Sequence, residues 1–265
     1  MKKIIDKEKF GPWAIVTGAS SGIGEEFARQ LAADGLNLIL VARRLPLLES
    51  VGKQLAKEFG IQYRTIEADL AEENFIAQIE TATVNLDIGL LISNAGTGRP
   101  GNFLSFQEDD LRWIIQLNAV SHLRLTHYFG KRLAKRGKGG VLLVSAMGAP
   151  NGIPYMANEA GTKAYVVSLG KGLHTEFKRL GINMTVLLPG PTDTPVLAKL
   201  GFNNDNMPMK PVSVEQCVEE ALRALSANRV TIIPGYVNRM IDALVPGSLT
   251  RKMMGSMMKQ NNKIE

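Results

Sequence analysis

The chain has 265 residues, 45% hydrophobic and 21% charged, enough apolar side chain to fill a two-sided core without disulfides or metals. Its one cysteine, Cys217, excludes an intrachain disulfide and fits a reducing compartment, and no Cys/His cluster has metal-ligand spacing, so no metal is expected. The formal charge of +6 clusters partly at residues 131–138 and after Arg251, without the aromatic platforms or recognition motif of a nucleic-acid binder.

The first residues, Met1 to Lys9, are basic but lack the apolar stretch of a signal peptide. No apolar run approaches the roughly 20 residues needed to cross a bilayer. The chain is therefore expected to be cytoplasmic, with no transmembrane segment. Short apolar runs then alternate with helix-period segments, the pattern of βαβ units around a parallel sheet. Strands are predicted at 13–17, 36–41, 62–67, 88–92, 141–144, 183–188 and 230–233. Helices are predicted near 23–34, 46–59, 72–83, 107–136, 156–180 and 213–227. Being short, apolar and bounded by Gly, Asp or Pro, the strands suit burial on both faces. The predicted fold class is α/β: a Rossmann-type, doubly wound, seven-stranded parallel sheet with helices on both faces, in three layers. No repeat, low-complexity tract or break in composition marks a second domain, so residues 1–265 read as one dinucleotide-binding domain. An irregular insertion at 190–212, placed as a lid after the sixth strand, and a Met-rich tail at 236–265 complete it.

Thr17-Gly18-Ala19-Ser20-Ser21-Gly22-Ile23-Gly24 joins the first strand to the first long helix. Glycines permit a tight turn and let backbone N–H groups approach a diphosphate, and the helix N-terminus beyond them adds partial positive charge. The strand–turn–helix setting is what turns this pattern into a dinucleotide signal. After the second strand, where an NAD site places a carboxylate on the ribose, the chain has Ala42, Arg43 and Arg44. A guanidinium pairs with phosphate through two parallel hydrogen bonds, whereas a carboxylate repels it, so NADP(H) is the expected cofactor.

Further along stand Asp69-Leu70 after the third strand, Ser93-Asn94-Ala95-Gly96 after the fourth and Asn118 in the long helix. Gly161-Thr162-Lys163 and Pro189-Gly190-Pro191-Thr192-Asp193-Thr194 follow. In this order and spacing the motifs make residues 10–240 resemble the short-chain dehydrogenase/reductase family. The likeness is to its bacterial ketone- and acyl-reducing members and to relatives acting on long-chain acyl or steroid substrates. The resemblance implies an oxidoreductase of an apolar carbonyl or alcohol, assembled as a homodimer or homotetramer. It implies Asp69 and Leu70 at the adenine, Asn94, Ala95 and Gly96 along the cofactor, and Pro189, Gly190, Thr192 and Thr194 near the nicotinamide. Asn118 then holds the lysine and a water, and Lys163 serves both cofactor and chemistry.

The same resemblance exposes two departures. In the family a Tyr protonates the carbonyl oxygen, a Lys four residues later lowers the Tyr pKa, and a Ser thirteen residues before the Tyr orients the carbonyl. Here those Tyr and Ser positions hold Glu159 and Ala146. Ala146 neither donates nor accepts. Glu159 lies one helical turn before Lys163, and a nearby cation is expected to lower its pKa unless burial prevails. An ionised carboxylate takes a proton but does not give one, so ordinary carbonyl reduction is expected to be impaired. A positioned acid is worth about 10²–10⁴ in rate. Three substitutes are considered: Ser145 shifted into the serine's place, Tyr155 as the acid, and Glu159 itself as a base. The alternatives left open are a non-catalytic NADP(H)-binding protein and a lyase or isomerase using Glu159. His122, His127 and His174 read as helix packing or surface positions away from Lys163. The tail, with Met240, Met253, Met254, Met257 and Met258 among Arg239, Arg251, Lys252 and Lys259, reads as a lid, a membrane-surface contact or a subunit-interface helix. Its interruption at Pro246-Gly247 favours the last.

Overall fold

Alternation along the strands divides the interior into two cores. The computed structural model describes residues 3–202, 207 and 210–264. Its strands are β1 (Trp13–Thr17), β2 (Asn37–Ala42), β3 (Tyr63–Glu67), β4 (Ile88–Ser93), β5 (Gly139–Val144), β6 (Ile182–Leu187) and β7 (Thr231–Ile232). They form one seven-stranded parallel sheet in the order β3-β2-β1-β4-β5-β6-β7. Ala14, Val16, Leu38, Leu40, Leu142 and Val144 point to one core. There they meet α2 (Gly22–Ala33), α3 (Leu45–Phe59) and α9 (Val214–Ser226). Ile15, Ile39, Val41, Val141 and Leu143 point to the other. That side is covered by α4 (Phe75–Thr83), α6 (Ser121–Arg136) and α7 (Ala157–Lys178). The order reverses between β1 and β4, and in open parallel sheets that reversal opens a crevice beyond the strands' carboxyl ends.

Several details differ from the sequence expectation. The helix predicted over 107–136 is α5 (Glu108–Ile115), a π turn at Gln116–Val120, and α6. Periodicity alone does not register one widened turn, yet such turns gather at functional sites. A short α1 (Lys7–Phe10) precedes the sheet, capped by the Asp6 carboxylate on the Glu8 N–H. The insertion at 190–212 holds a parallel bridge, Thr192 to Val212, and a short α8 (Pro195–Lys199), while residues 203–206 and 208–209 lie outside the described ones. The tail forms α10 (Tyr236–Leu244) and α11 (Gly247–Asn261), separated where Pro246 and Gly247 interrupt the apolar stripe. Among the described residues no helix is long and apolar enough to cross a membrane.

The basic run 131–138 is partly structural. The Arg132 guanidinium donates to the carbonyls of Thr83 and Leu86, and Arg136 donates to those of Lys9 and Gly11 while pairing with Asp87. These arginines close loop ends that would otherwise leave carbonyls without partners.

Phe129, fully buried between α6 and the sheet, tests this packing. Phe129→Ala is expected to lower stability by about 3–5 kcal/mol, read as a lower urea midpoint at unchanged slope. A loss under 1 kcal/mol would mean that this core is not packed as described.

Candidate active site

The turn after β1 is built around backbone, not side chains. Gly18 has φ +67 and Gly22 φ +60, a left-handed backbone that favours glycine. At Gly24 a Cβ would lie 2.2 Å from the Gly18 carbonyl oxygen, so the helix starts this close to the turn only because the residue has no side chain. Thr17 fastens the turn to β4: its Oγ1 accepts from the N–H groups of Asn94 (2.9 Å) and Ala95 (3.0 Å), and Asn94 Nδ2 donates to the Thr17 carbonyl (2.9 Å). The N-cap of α2, Ser21, makes no side-chain cap, which leaves first-turn N–H donors for an anion. Beside them Arg44 Nη2 lies 3.0 Å from Ser20 Oγ and 3.3 Å from Ser21 Oγ. A guanidinium and two hydroxyls so gathered suit a phosphate. Arg43 is engaged otherwise, 3.7 Å from the Asp69 carboxylate and over the Trp113 ring. Asp69 also accepts from the Ala71 N–H. Trp113 was not singled out in the sequence, where a lone aromatic in a helix carries no signal. These features fit a nicotinamide dinucleotide: an uncapped helix end, a turn whose glycines let the backbone approach closely and a cationic corner.

At the far end of the crevice, α7 carries Glu159 and Lys163. Lys163 is buried and its ammonium donates to the Val144 carbonyl at 3.1 Å. A Cβ on Gly96 would lie 2.8 Å from Lys163 Nζ and 3.2 Å from Asn118 Oδ1, so the small residue makes room for both. Asn118, at the centre of the π turn, holds the strand beyond β4 by both ends of its amide: Oδ1 accepts from the Thr97 N–H and Nδ2 donates to the Thr97 carbonyl. The Glu159 carboxylate rests against the next residue, Gly98, and the backbone of Arg99 favours its ionised form. Its Oε2 is buried and has no hydrogen-bond partner among the described residues.

Electrostatics here runs against the sequence expectation. Burial raises the Glu159 pKa to about 7, outweighing the pull of the Lys163 charge and the Arg99 backbone. Burial likewise lowers Lys163 to about 8, with Glu159 opposing. Desolvation penalises the charged form of each group, and it wins because Lys163 is buried and the half-buried Glu159 turns its carboxyl inward. Glu159 is thus a carboxyl group that holds a proton near neutral pH.

Ser145 does not stand in for the missing serine: it is buried, and its hydroxyl donates to the Lys163 carbonyl at 2.7 Å, fastening β5 to α7. Ala146 leaves its position without a hydroxyl. Tyr155 packs with Met156, Phe202 and Met258 in a separate apolar cluster. His122, read from sequence as remote, is close enough to Lys163 for its charge to help burial push the imidazole pKa down to about 3. It is a neutral bridge between Ser93 Oγ and the Ala95 carbonyl. Pro189 accepts from the Met147 N–H, Gly190 abuts Asn238, and Thr192 and Thr194 bond back along their own loop, with Thr194 against Gly22.

The sequence pattern of the family described as short chain dehydrogenase matches residues 12–205. A very-long-chain 3-oxoacyl-CoA reductase-like protein of Arabidopsis thaliana is 37% identical over 188 residues, 69% of this chain and 60% of that protein. The chain therefore spans less than two thirds of that relative's length. A 7beta-hydroxysteroid dehydrogenase of Mediterraneibacter gnavus is 28% identical over 236 residues, 88% of this chain and 89% of its own. The solved short-chain dehydrogenase of Sphingobium yanoikuyae in complex with NADPH superposes with a TM-score of 0.80 at 29% identity, covering 93% of this chain and 96% of that one.

The protonation of Glu159 is directly measurable. Infrared difference spectra should show a protonated carboxyl band that disappears with a midpoint near 7 and is absent in Glu159→Gln. A midpoint at the ordinary 4.5 would refute the desolvated site.

Proposed function

The chain belongs to the short-chain dehydrogenase family, and on that premise we propose that it is an oxidoreductase moving hydride between NADP(H) and an apolar carbonyl or alcohol, with the Glu159 carboxyl as proton donor. The observation that carries this reading is Glu159 Oε2: a buried carboxyl oxygen, one helical turn from a buried lysine, with no hydrogen-bond partner among the described residues. A substrate oxygen would supply the missing partner.

When bound, the cofactor supplies or takes up the hydride. The N-terminus of α2 with Gly18, Gly22, Ile23 and Gly24 would hold its diphosphate, and Arg44 with Ser20 and Ser21 the 2′-phosphate. Arg43, Asp69 and Leu70 would border the adenine, and Asn94, Ala95 and Gly96 the middle of the crevice. Pro189, Gly190, Thr192 and Thr194 would close the nicotinamide end. In the reductive direction Glu159 gives its Oε2 proton to the carbonyl oxygen, and the Lys163 ammonium stabilises the carboxylate left behind. In oxidation the same oxygen takes the proton back. Asn118 keeps Thr97, and through it Gly98 and Arg99, in place against the carboxyl. Ala146 leaves the carbonyl without a second donor, which makes this a slower catalyst than a Ser–Tyr–Lys site. The Met-lined cluster at Met156, Phe202 and Met258 favours a large apolar substrate, because methionine adapts to irregular shapes. The same reading takes the chain as one dinucleotide-binding domain working in the cytoplasm, in keeping with its lone, buried thiol.

Two experiments test it. Arg44→Ala should weaken NADPH binding about tenfold or more by titration calorimetry, since a hydrogen bond to a charged group is worth about 1.5–3 kcal/mol, and leave NADH binding unchanged. Equal losses for both would remove Arg44 from the 2′-phosphate. On a panel of bulky ketones, Glu159→Gln should lower turnover about 10²–10⁴-fold. A group whose pKa is raised to about 7 is an acid below that value, so reduction should decline as pH rises through 7 and oxidation should gain. Glu159→Tyr with Ala146→Ser should raise reduction and remove that decline. Turnover untouched by Glu159→Gln would overturn the assignment, and NADPH binding without turnover in either variant would leave a non-catalytic binding protein.

A further inference from the structure

Helix α10 presents its apolar side outward. Of Tyr236–Leu244 the buried residue is Asn238, whereas Tyr236, Val237, Met240 and Leu244 are 69%, 57%, 39% and 69% exposed. At 3.6 residues per turn these four positions share about a third of the helix circumference, a continuous apolar stripe where an ordinary surface helix would be polar. The next helix repeats the arrangement, with Leu249 and Met253 about half exposed one turn apart on α11. Such a concentration of exposed large apolar side chains marks a contact surface.

The charges around it decide what the contact is. Residues 236–263 carry Arg239, Arg251, Lys252, Lys259 and Lys263 against the single carboxylate of Asp242. Arg239 is satisfied by Glu220, and Arg251 reaches the Asn151 carbonyl. Lys252 and Lys259 form no ion pair among the described residues. Seven residues apart, they fall on one side of α11, flanking Leu249 and Met253. A second copy docked here about a two-fold axis would meet the same patch on its partner, cation against cation with almost no acid to offset it. An anionic surface is complementary to both halves of the pattern.

We propose that the α10–α11 face binds the surface of an anionic lipid bilayer, with Tyr236, Val237, Met240, Leu244, Leu249 and Met253 in the headgroup–acyl boundary and Lys252 and Lys259 on the headgroups. Apolar side chains flanked by lysines whose stems reach outward are the pattern of helices that lie in that interface without crossing it. Tyr236 and Val237 also line a cavity of about 770 Å³ that extends past Leu197 and Phe202 to Thr194, beside the cofactor turn. The bilayer-facing residues thus stand at the rim of a passage leading toward the crevice.

Vesicle sedimentation of the full chain tests this without reference to catalysis. The protein should sediment with vesicles containing phosphatidylserine, remain largely in solution with phosphatidylcholine alone, and be released by salt. Lys252→Ala with Lys259→Ala should weaken partitioning roughly 30-fold, each surface cation contributing about fivefold. Val237→Asp with Leu244→Asp should abolish it. All four positions are exposed, so circular dichroism and NADPH binding should match wild type, which separates loss of the surface from loss of the fold. Failure to sediment with anionic vesicles overturns the proposal. Binding that survives both double variants does so too, as does a dimer in light scattering that dissociates in the Val237→Asp, Leu244→Asp variant, which would give the face to a second copy.

Discussion

Desolvation of one carboxyl group sets the chemistry available to this chain. Glu159 and Lys163 sit one helical turn apart, the spacing at which opposite charges attract on an exposed helix and each holds the other ionised. Burial reverses the balance. The segment after β4 lies against the half-buried Glu159 carboxyl, and β5, Gly96 and Asn118 enclose Lys163, so water supports both charges poorly. The pair then relaxes toward neutrality, and the carboxyl moves into the range where a proton is exchanged at physiological pH. A carboxyl group walled in keeps its proton to higher pH than a solvated one, as general acids in unrelated sites do.

The wall depends on a few hydrogen bonds between elements distant in sequence. Thr17 ties the end of β1 to Asn94 and Ala95, His122 holds Ser93 and Ala95 from the other side, and Asn118 holds Thr97 at both its N–H and its carbonyl. Together they fix the course of the chain from Ser93 to Arg99, one side of the crevice along its length. The neutral state of His122 belongs to this work: a protonated ring beside Lys163 would add a second buried cation and give up its acceptor for Ser93.

Much of the architecture was legible beforehand because the central strands, buried on both faces, are short apolar runs, while the edge strand β3, with only Ile66 buried, was found by its place between two helices. The glycine turn was legible because its chemistry is local. What escaped was long-range or subtle. The π turn at Gln116–Val120 leaves no mark in periodicity, so the long helix read as unbroken, and His122, forty-one residues before Lys163 in the chain, read as remote. Arg43 and Arg44 are adjacent and alike in sequence, yet one is drawn to Asp69 and Trp113 and the other to the serines of the turn. The direction of the Glu159 shift was the hardest to foresee: the attracting lysine is four residues away and visible, whereas the enclosing loop lies some sixty residues earlier in the chain. The tail, read as a lid, a membrane-surface contact or a subunit-interface helix, forms two helices whose apolar residues face outward on both sides of the break at Pro246.

Gly98 carries a consequence for how this site can change. A methyl group there would come within 2.5 Å of Glu159 Oε2 and 2.6 Å of Oε1, so the carboxyl would have to withdraw from the Arg99 backbone and from the enclosure that keeps it protonated. Positions 98 and 159 are therefore coupled across the crevice. An acid at 159 in its present position thus favours glycine at 98, and a larger residue at 98 would turn the carboxyl elsewhere. The two positions are expected to vary together, so that the choice at one constrains the choice at the other.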